Sequence, residues 1–354
     1  MKPLLTDYTL AELEDLFGQL GEPAFRARQV YGFLQKGLDF EGMANIGKAL
    51  REKLEANAAA QGASICKTLV SPLDGTEKYL FALRDGNIVE GVFMRYHYGN
   101  TLCISTQVGC RMGCAFCAST LEGCVRDLSP GEMLSEVLTV DALHRLGDKR
   151  GVTNVVLMGS GEPLDNYANV LKFLRLLSAP EGICISLRNV SLSTCGLVDG
   201  IDRLAEENLG LTLSISLHAP TNEQRSALMP VNRRWPLEQL LPACKRYEQR
   251  TGRRIVFEYA LIEGKNTDLR DAERLAALVR GLRCHVNLIP VNLVKERGLH
   301  PPKQAGIEAF EQRLKELHVS VTRRREMGDD IGGACGQLRR SHLEQSAKNG
   351  SPTP

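Results

Sequence analysis

From about residue 100 onward, short apolar segments alternate with amphipathic helical segments, and this alternation limits the chain to a few folds. Short segments rich in Val, Ile and Leu predict buried strands. Strands that alternate with helices predict parallel pairing, with the helices covering the sheet. We therefore predict an α/β fold, a partial (β/α)6 barrel that resembles an incomplete TIM barrel. The six predicted strands are TLCISTQV, TNVVLMGS, NVSLSTC, LTLSISLH, RIVFEYALI and CHVNLIPVN.

The chain divides into four segments, of which the barrel is the third. The first is predicted to be a helical accessory domain, because Thr9 and Glu12 make a capping box ahead of an apolar helix face. The second is predicted to be a β-hairpin linker region, because Asp-Gly turn signals separate its apolar segments. The last is a polar tail that we expect to be disordered. The predicted segments are the helical domain 1–70, the hairpin region 71–100, the barrel 101–340 and the tail 341–354.

Composition excludes some classes of protein and leaves others open. No apolar run reaches the roughly 20 residues of a membrane-spanning helix, and the N-terminus carries acidic residues where a secretory signal needs an apolar stretch. With 11 cysteines and no export signal, we expect reduced thiols, a cytoplasmic location and no membrane partner. The net charge of +2 neither indicates nor excludes nucleic acid, although arginines are clustered, as in Arg323 to Arg325.

Three cysteines lie in the run GCRMGCAFC with the spacing C-x3-C-x2-C: Cys110, Cys114 and Cys117. Three thiolates can hold three irons of a cubane iron–sulfur cluster and leave the fourth iron open, whereas structural zinc sites use four ligands. Gly109 and Gly113 suit a tight loop around such a group. Two alternatives stay open: three cysteines packed in the core, or a zinc knuckle.

The cysteine spacing resembles that of the radical S-adenosylmethionine (SAM) superfamily. This resemblance implies a [4Fe-4S] cluster held by the three cysteines, with the amino and carboxylate groups of SAM on the open iron. The reduced cluster then cleaves SAM to a 5′-deoxyadenosyl radical. The run GSGEP after the second strand resembles the superfamily's motif for the SAM amine, and other strand ends supply further contacts. The residues expected to bind SAM are Gly161, Glu162, Ser193, Ser216, Leu217, His218 and Asn292.

Longer motifs are similar to a narrower group, the RlmN/Cfr family of radical SAM RNA adenosine methyltransferases. Two of them contain further cysteines: Cys103 lies seven residues before the cluster motif, and Cys335 lies near the C-terminus. The matching pieces cover the chain from about residue 70 to about residue 340. They are CISTQVGCRMGCAFC, MGSGEPLDNY, LSISLHAP, VNLIPVN and RRREMGDDIGGACGQL.

The family resemblance implies a methyl relay through Cys335. C2 of adenine lies between two ring nitrogens and is too electron-poor to attack a sulfonium methyl, so a radical route is needed. Cys335 is expected to take a methyl group from one SAM, and a second SAM supplies the radical that activates this methyl for addition to C2. Glu90 is expected to remove the C2 proton, with Cys103 as the competing acceptor and an exposed, non-catalytic Glu90 as the alternative. Cys103 then attacks the sulfur of Cys335, which releases the RNA and leaves a disulfide.

The motifs QVGC, GSGEPL and NLIPVN resemble the branch that methylates C2 of an adenosine in the peptidyl-transferase centre of 23S rRNA and of an adenosine beside the anticodon of some tRNAs. Expected partners are therefore 23S rRNA, tRNA, a flavodoxin-like one-electron reductant and a disulfide reductant, with the enzyme acting as a monomer. We also expect the N-terminal helices to contact RNA. Three alternatives stay open: a C8-methylating resistance-type paralogue, a radical SAM enzyme for a protein or small molecule, and a non-catalytic RNA-binding ribosome assembly factor.

Overall fold

The structure, a computed structural model, describes residues 1–294, 297–325 and 327–332. Cys335 and the tail 341–354, which the sequence analysis singled out, lie outside these ranges. The strands are β1 (Ala63–Val70), β2 (Glu77–Leu83), β3 (Ile88–Tyr96), β4 (Gly99–Ile104), β5 (Gln107–Gly109), β6 (Cys124–Asp127), β7 (Asn154–Leu157), β8 (Val190–Thr194), β9 (Thr212–Ser216), β10 (Ile255–Leu261), β11 (Cys284–Pro290) and β12 (Val321–Arg323). The helices are α1 (Leu10–Gln19), α2 (Ala24–Leu34), α3 (Lys48–Asn57), α4 (Pro130–His144), α5 (Tyr167–Ser178), α6 (Val198–Glu207), α7 (Asn222–Leu228), α8 (Leu237–Thr251), α9 (Leu269–Leu278) and α10 (Gln304–Glu316).

One ten-stranded sheet carries the fold, in the order β1-β2-β3-β4-β7-β8-β9-β10-β11-β12. The pairs from β1 to β4 are antiparallel, and every pair from β4 to β12 is parallel. The predicted α/β partial barrel is confirmed, and all six predicted strands contribute to it. A seventh parallel strand, β12, was not predicted because three residues are too few to show a periodic pattern. Within the described ranges, the edge strands β1 and β12 do not pair, so the barrel is open.

Two boundaries differ from the prediction. β1 lies within the segment 1–70 that was predicted to be helical, and it pairs with β2 as the first strand of the sheet. The predicted strand TLCISTQV is interrupted after Ile104: β4 ends there, and β5 pairs instead with β6 in a separate two-stranded sheet. The predicted turns are present, since Gly75 and Gly86 have φ values of +70° and +83° between the antiparallel strands. Both values lie in the left-handed region that glycine adopts without a steric penalty.

The helix starts follow the sequence signals. The Thr9 side chain accepts a hydrogen bond from Glu12 N, and the Glu12 carboxylate accepts one from Thr9 N, which completes the predicted capping box of α1. Ser129 and Glu132 form the same arrangement at α4, with Pro130 at the first helical position. Among the described helices, none is long and apolar enough to cross a bilayer.

The N-terminal helices α1 to α3 have a core of their own and dock against the barrel at the start of α4. Leu13, Phe17 and Val30 are fully buried within this core. At the junction, the Asp7 carboxylate accepts a hydrogen bond from Gly131 N at 2.6 Å. An acidic side chain at a helix N-terminus also interacts favourably with the helix dipole. The N-terminal helices are therefore anchored to a helix that covers the sheet.

Candidate active site at the barrel mouth

A cavity of about 270 Å³ opens at the C-terminal ends of the parallel strands, where ligands bind in sheets of this kind. Most of the residues that the sequence predicted for the cluster and for SAM line it. Leu217 differs, because its side chain is fully buried and its N–H donates to Glu258 O at 3.0 Å. The predicted residues that line the cavity are Cys110, Cys114, Cys117, Gly161, Glu162, Ser193, Ser216, His218 and Asn292.

The cysteine loop connects β5 to β6, and its neck is too narrow for a side chain. Gly109 has φ +81°, and a Cβ atom added there would lie 2.0 Å from Gly123 O. Cys110 N donates to the same carbonyl at 2.8 Å, which closes the neck. Gly113 also has a positive φ, +70°. The predicted need for glycine in this loop is therefore confirmed, with the close approach at Gly109 as its main cause.

The far end of the cysteine loop is held from a distant region of the chain. The Thr120 hydroxyl lies 3.2 Å from Cys114 O and 3.0 Å from Cys117 O. Arg297 Nη2 donates to Thr120 Oγ1 at 2.8 Å and to Cys117 O at 3.2 Å. The segment after β11 thus fixes the backbone of the cysteine loop.

The three thiols form one electrostatically coupled group. Burial raises the pKa of Cys110 to about 12, and the nearby Cys117 adds to this effect. Burial also raises the pKa of Cys114, with contributions from both neighbouring thiols. Bound metal deprotonates such thiols outright, so the donor set suits a polynuclear iron cluster. Among the described residues, no three His, Cys, Asp or Glu side chains are grouped to hold a single metal ion. The three thiols and their shared cavity, rather than a preformed coordination geometry, therefore mark the candidate cluster site.

The loop after β7 brings backbone and a carboxylate to the same cavity. Gly161 has φ +109°, and a Cβ atom there would lie 2.7 Å from Gln107 N. The carboxylate of Glu162 is buried and accepts hydrogen bonds from Leu164 N at 3.0 Å and from Cys195 N at 2.7 Å. Burial raises its pKa. A cationic amine that entered the cavity would offset this desolvation, so the geometry suits an ammonium group.

His218 is held in one orientation by its surroundings. It follows β9 with φ +56°, is 5% exposed, and packs edge-on against Phe116 with the ring centroids 4.8 Å apart. Ala260 N donates to His218 Nδ1 at 2.9 Å. Burial lowers the pKa of His218 to about 3, so the ring is neutral near pH 7 and its proton lies on Nε2. This ring can therefore donate a hydrogen bond to a ligand.

Two charged residues that the sequence analysis did not select also line the cavity: Glu258 in β10 and Arg324 after β12. Glu258 Oε2 accepts from Asn287 Nδ2 at 2.8 Å, and burial raises the pKa of Glu258. A signal was available, because Glu258 is an acidic residue in the otherwise apolar run RIVFEYALI, and acids are seldom fully buried without a partner. Arg324 belongs to the arginine triplet, which was interpreted only as a charge cluster.

A buried arginine ties the strand ends together beneath the cavity. Arg225 is fully buried and donates to Cys195 O at 2.6 Å, Leu217 O at 3.2 Å and Asn232 Oδ1 at 2.8 Å. Its charge lowers the pKa of Cys114, against the larger raising effect of burial. With Ser216 O, also at 3.2 Å, four carbonyl oxygens accept from this guanidinium, so it fixes the ends of β8 and β9 next to the cysteine loop.

Cys103 lies on the inner face of the sheet, next to the cavity. Its Cα pairs with Val92 of β3 and Val156 of β7. Its side chain is 5% exposed and belongs to an apolar cluster that also contains Met158 and Met327. Met158 in turn lines the cavity. Cys103 and the candidate cluster site therefore share Met158 as a neighbour.

Glu90 lies on the same face as Cys103. It precedes Val92 by two residues in β3, and strand residues two apart share a face. Glu90 is 4% exposed, so the alternative of an exposed glutamate is wrong. Its Oε2 lies 3.1 Å from Nζ of Lys78 in β2. The third predicted catalytic residue, Cys335, lies outside the described residues.

Comparisons with known proteins agree with this arrangement. Residues 104–276 match the model of the radical SAM superfamily, and residues 4–60 match the model of the ribosomal RNA large subunit methyltransferase N-terminal domain. A relative from Clostridium novyi, named "Probable dual-specificity RNA methyltransferase RlmN", is 48% identical over 98% of this chain and 100% of its own length. The chain belongs to the RlmN family of radical SAM RNA methyltransferases.

Two further comparisons extend over nearly the whole chain. The relative of the same name from Clostridium perfringens is 50% identical over 97% of this chain and 98% of its own length. The crystal structure of a radical SAM methyltransferase from Sphaerobacter thermophilus is 41% identical and superposes with a TM-score of 0.91, covering 95% of this chain and 98% of that one. Proteins of the radical SAM superfamily use a [4Fe-4S] cluster and SAM, so membership of the RlmN family favours a cluster over the zinc knuckle.

Proposed function

We propose that this enzyme methylates C2 of adenine in RNA through an S-methylcysteine at Cys335 and uses two SAM molecules per turnover. The observation that carries the proposal is the placement of Cys103 and Glu90 on the inner face of the sheet. Cys103 shares an apolar cluster with Met158, which lines the cavity of the three clustered cysteines, and Glu90 is buried on the same strand face. A binding protein would need neither a buried carboxylate nor a further thiol beside such a cavity, so this placement favours catalysis.

The cavity residues divide into two groups by their chemistry. Cys110, Cys114 and Cys117 would hold the [4Fe-4S] cluster, and the buried carboxylate of Glu162 would bind the ammonium group of SAM. Together, cluster and SAM supply a 5′-deoxyadenosyl radical when bound. Around them, the polar strand ends would orient SAM. The cavity-lining residues proposed for these contacts are Gly161, Ser193, Ser216, His218 and Asn292, to which the structure adds Glu258. Leu217, which does not line the cavity, would act only by holding the main chain between Ser216 and His218.

Three side chains of this protein would handle the methyl group and the proton. The thiolate of Cys335 would accept a methyl group from one SAM, which leaves as its thioether; one hydrogen atom of this methyl would then pass to the radical from the second SAM, and the remaining carbon would bond to C2 of adenine. Glu90, buried and close to Cys103, takes the C2 proton. Cys103 would then attack the sulfur of Cys335: a disulfide forms, the carbon–sulfur bond to the product breaks, the freed carbon takes up a proton, and the methylated RNA is released, with the cluster taking back the odd electron of the adduct. An external thiol reductant must restore the disulfide to two thiols.

The proposed substrates are 23S rRNA and tRNA, because relatives that are 48% and 50% identical carry the name of dual-specificity RNA methyltransferases. We further propose a flavodoxin-like electron donor, action as a monomer, and RNA contact by the N-terminal domain. Deleting that domain should weaken RNA binding in a filter-binding titration, while cluster content measured by iron analysis stays unchanged. An unaltered affinity for RNA would count against its role.

The decisive experiment is nucleoside mass spectrometry after anaerobic turnover of the reconstituted enzyme with SAM and an rRNA fragment. We expect 2-methyladenosine in the product and a mass increase of one methyl group on Cys335 in the isolated protein. Cys335→Ala should abolish both, Cys103→Ala should leave RNA joined to the protein, and Glu90→Gln should prevent product formation. Cys66→Ala, at an exposed cysteine of β1, is the matched control and should be as active as the wild type.

The same assay separates the alternatives. A C8-methylated adenosine would identify the resistance-type activity, and an unmodified RNA together with an unmodified Cys335 would contradict the proposal as a whole. A methylated protein or small molecule in place of RNA would identify a different radical SAM activity.

A further inference from the structure

The segment 327–332 follows β12 and contacts the other edge of the sheet, at the turn between β1 and β2. Ser71 Oγ donates to Asp330 Oδ1 at 2.7 Å. Gly328 N donates to Asp74 Oδ2 at 2.9 Å. We call the contacts between this turn, the start of β2 and residues 327–332 the docking seam.

A buried lysine supplies the third contact of the docking seam. Lys78 Nζ donates to Gly332 O at 2.6 Å and lies 3.1 Å from Glu90 Oε2. The side chains of Lys78 and Glu90 are 0% and 4% exposed. A buried ion pair is no more stabilising than a pair of well-packed apolar side chains, so its charge alone does not explain its presence. What the pair adds is geometry, because one ammonium group holds a carboxylate and a main-chain carbonyl at the same time.

The docking seam also adjoins Cys103. Met327 packs against the apolar cluster that contains Cys103, and a Cβ atom added at Gly328 would lie 3.0 Å from Thr76 Cγ2. A side chain at Gly328 would therefore require the Thr76 methyl group to move by a few tenths of an ångström. Met327 therefore packs against residues of β3 and β4 and Gly328 is buried, whereas Asp329 and Asp330 are exposed.

We propose that Lys78 is a positioning residue, which holds Glu90 in place relative to the segment that leads into Cys335. Gly332, the carbonyl partner of Lys78, precedes Cys335 by three residues in the sequence. The inference rests on the proposed function, in which Cys335 carries the methyl group and Glu90 removes the proton. Through its two contacts, Lys78 thus links the position of Glu90 to the position of the segment that precedes Cys335.

The test compares Lys78→Met, which keeps the side-chain length and removes the charge, with the wild type. Amide hydrogen exchange in residues 327–332 should accelerate at least about tenfold, as expected for the loss of a hydrogen bond from a charged group. The ratio of SAM cleaved to RNA methylated should rise, because the radical forms while its target is displaced. Iron content should remain at the wild-type level, since the candidate cluster ligands lie on a different loop.

Other variants separate the contact of Lys78 with Glu90 from its contact with Gly332. Glu90→Gln should lose RNA methylation yet keep residues 327–332 protected from exchange, because the contact with Gly332 remains. Lys78→Arg retains a cation and should recover some of the protection. Lys67→Met removes an ammonium group from the neighbouring strand β1 and is the matched control, with no change in exchange expected.

If Lys78→Met does not fold, the double variant Lys78→Met/Glu90→Gln removes both buried charges and tests the same contact. Unchanged exchange of residues 327–332 in a folded variant without Lys78 would overturn the proposal. The exchange readout needs neither SAM nor RNA. A wild-type enzyme that forms no S-methylcysteine would therefore refute the proposed function, while the response of the docking seam to Lys78→Met would still be measured.

Discussion

Replacing Asn266 with alanine should destabilise the protein by at least about 3 kcal/mol. Asn266 is fully buried in the turn after β10. Its Nδ2 donates to His218 O at 2.7 Å and to Ala260 O at 2.6 Å, and its Oδ1 accepts from Ile262 N at 2.9 Å. Alanine leaves two carbonyls and one N–H without these bonds, and a buried polar group that loses its partner costs about 1–3 kcal/mol. Three such groups give the minimum stated.

The measurement is the free energy of unfolding in urea, followed anaerobically by circular dichroism. Asn189→Ala is the matched control, because Asn189 is exposed and makes one bond, to Thr153 O at 3.3 Å; its change should stay within about 0.5 kcal/mol. Asn266→Asp keeps the acceptor for Ile262 N but loses both donors, so it should destabilise the fold too. A loss below about 1 kcal/mol for Asn266→Ala would refute the reasoning that these bonds fix the turn beneath His218.

Three further changes act on the cavity or on the cysteine loop beside it. The pKa of His218 is about 3 in the folded protein against an ordinary 6.5. Between these two values only the unfolded chain takes up this proton, so the free energy of unfolding decreases as the pH is lowered below about 6.5. We expect a loss of about 1.4 kcal/mol between about pH 8 and about pH 5.5 in urea titrations, and its absence in His218→Asn. Gly109→Ala should lower the iron content after cluster reconstitution, because its Cβ would overlap Gly123 O; Gly123→Ala, with φ +71° but open space around it, should retain more iron. Arg297→Met removes the bond to Cys117 O, so iron release to a chelator should quicken about tenfold; an unchanged rate would show that the loop holds its shape without this arginine.

The sequence predicted best where the physical signal is local. The alternation of strands and helices determines the sheet, and Ser129, Pro130 and Glu132 mark the start of α4 through caps that need only neighbouring residues. The predicted cofactor residues converge on one cavity because the C-terminal ends of parallel strands meet at one edge of the sheet. This convergence follows from the order and direction of the strands, so it can be predicted without any interatomic distance.

The sequence predicted less where residues meet through strand register. Lys78 and Glu90 are 12 residues apart, and their contact depends on how β2 pairs with β3, with Leu80 opposite Glu90. Glu258 was missed for a related reason, since its partner Asn287 lies on the next strand. The period-2 pattern of β1 was present in the sequence, but the helical signal of the preceding residues extended the predicted domain across it.

The open edge of the barrel has a consequence for how its wall can move. Everywhere between β1 and β12, neighbouring strands are joined by main-chain ladders that must break together. Across the gap, the wall is completed by the isolated contacts of Ser71, Asp74 and Lys78. Each of these contacts can break independently of the others, while the main-chain ladders stay intact. The gap is therefore the part of the barrel wall that can open without any strand coming away from its neighbour.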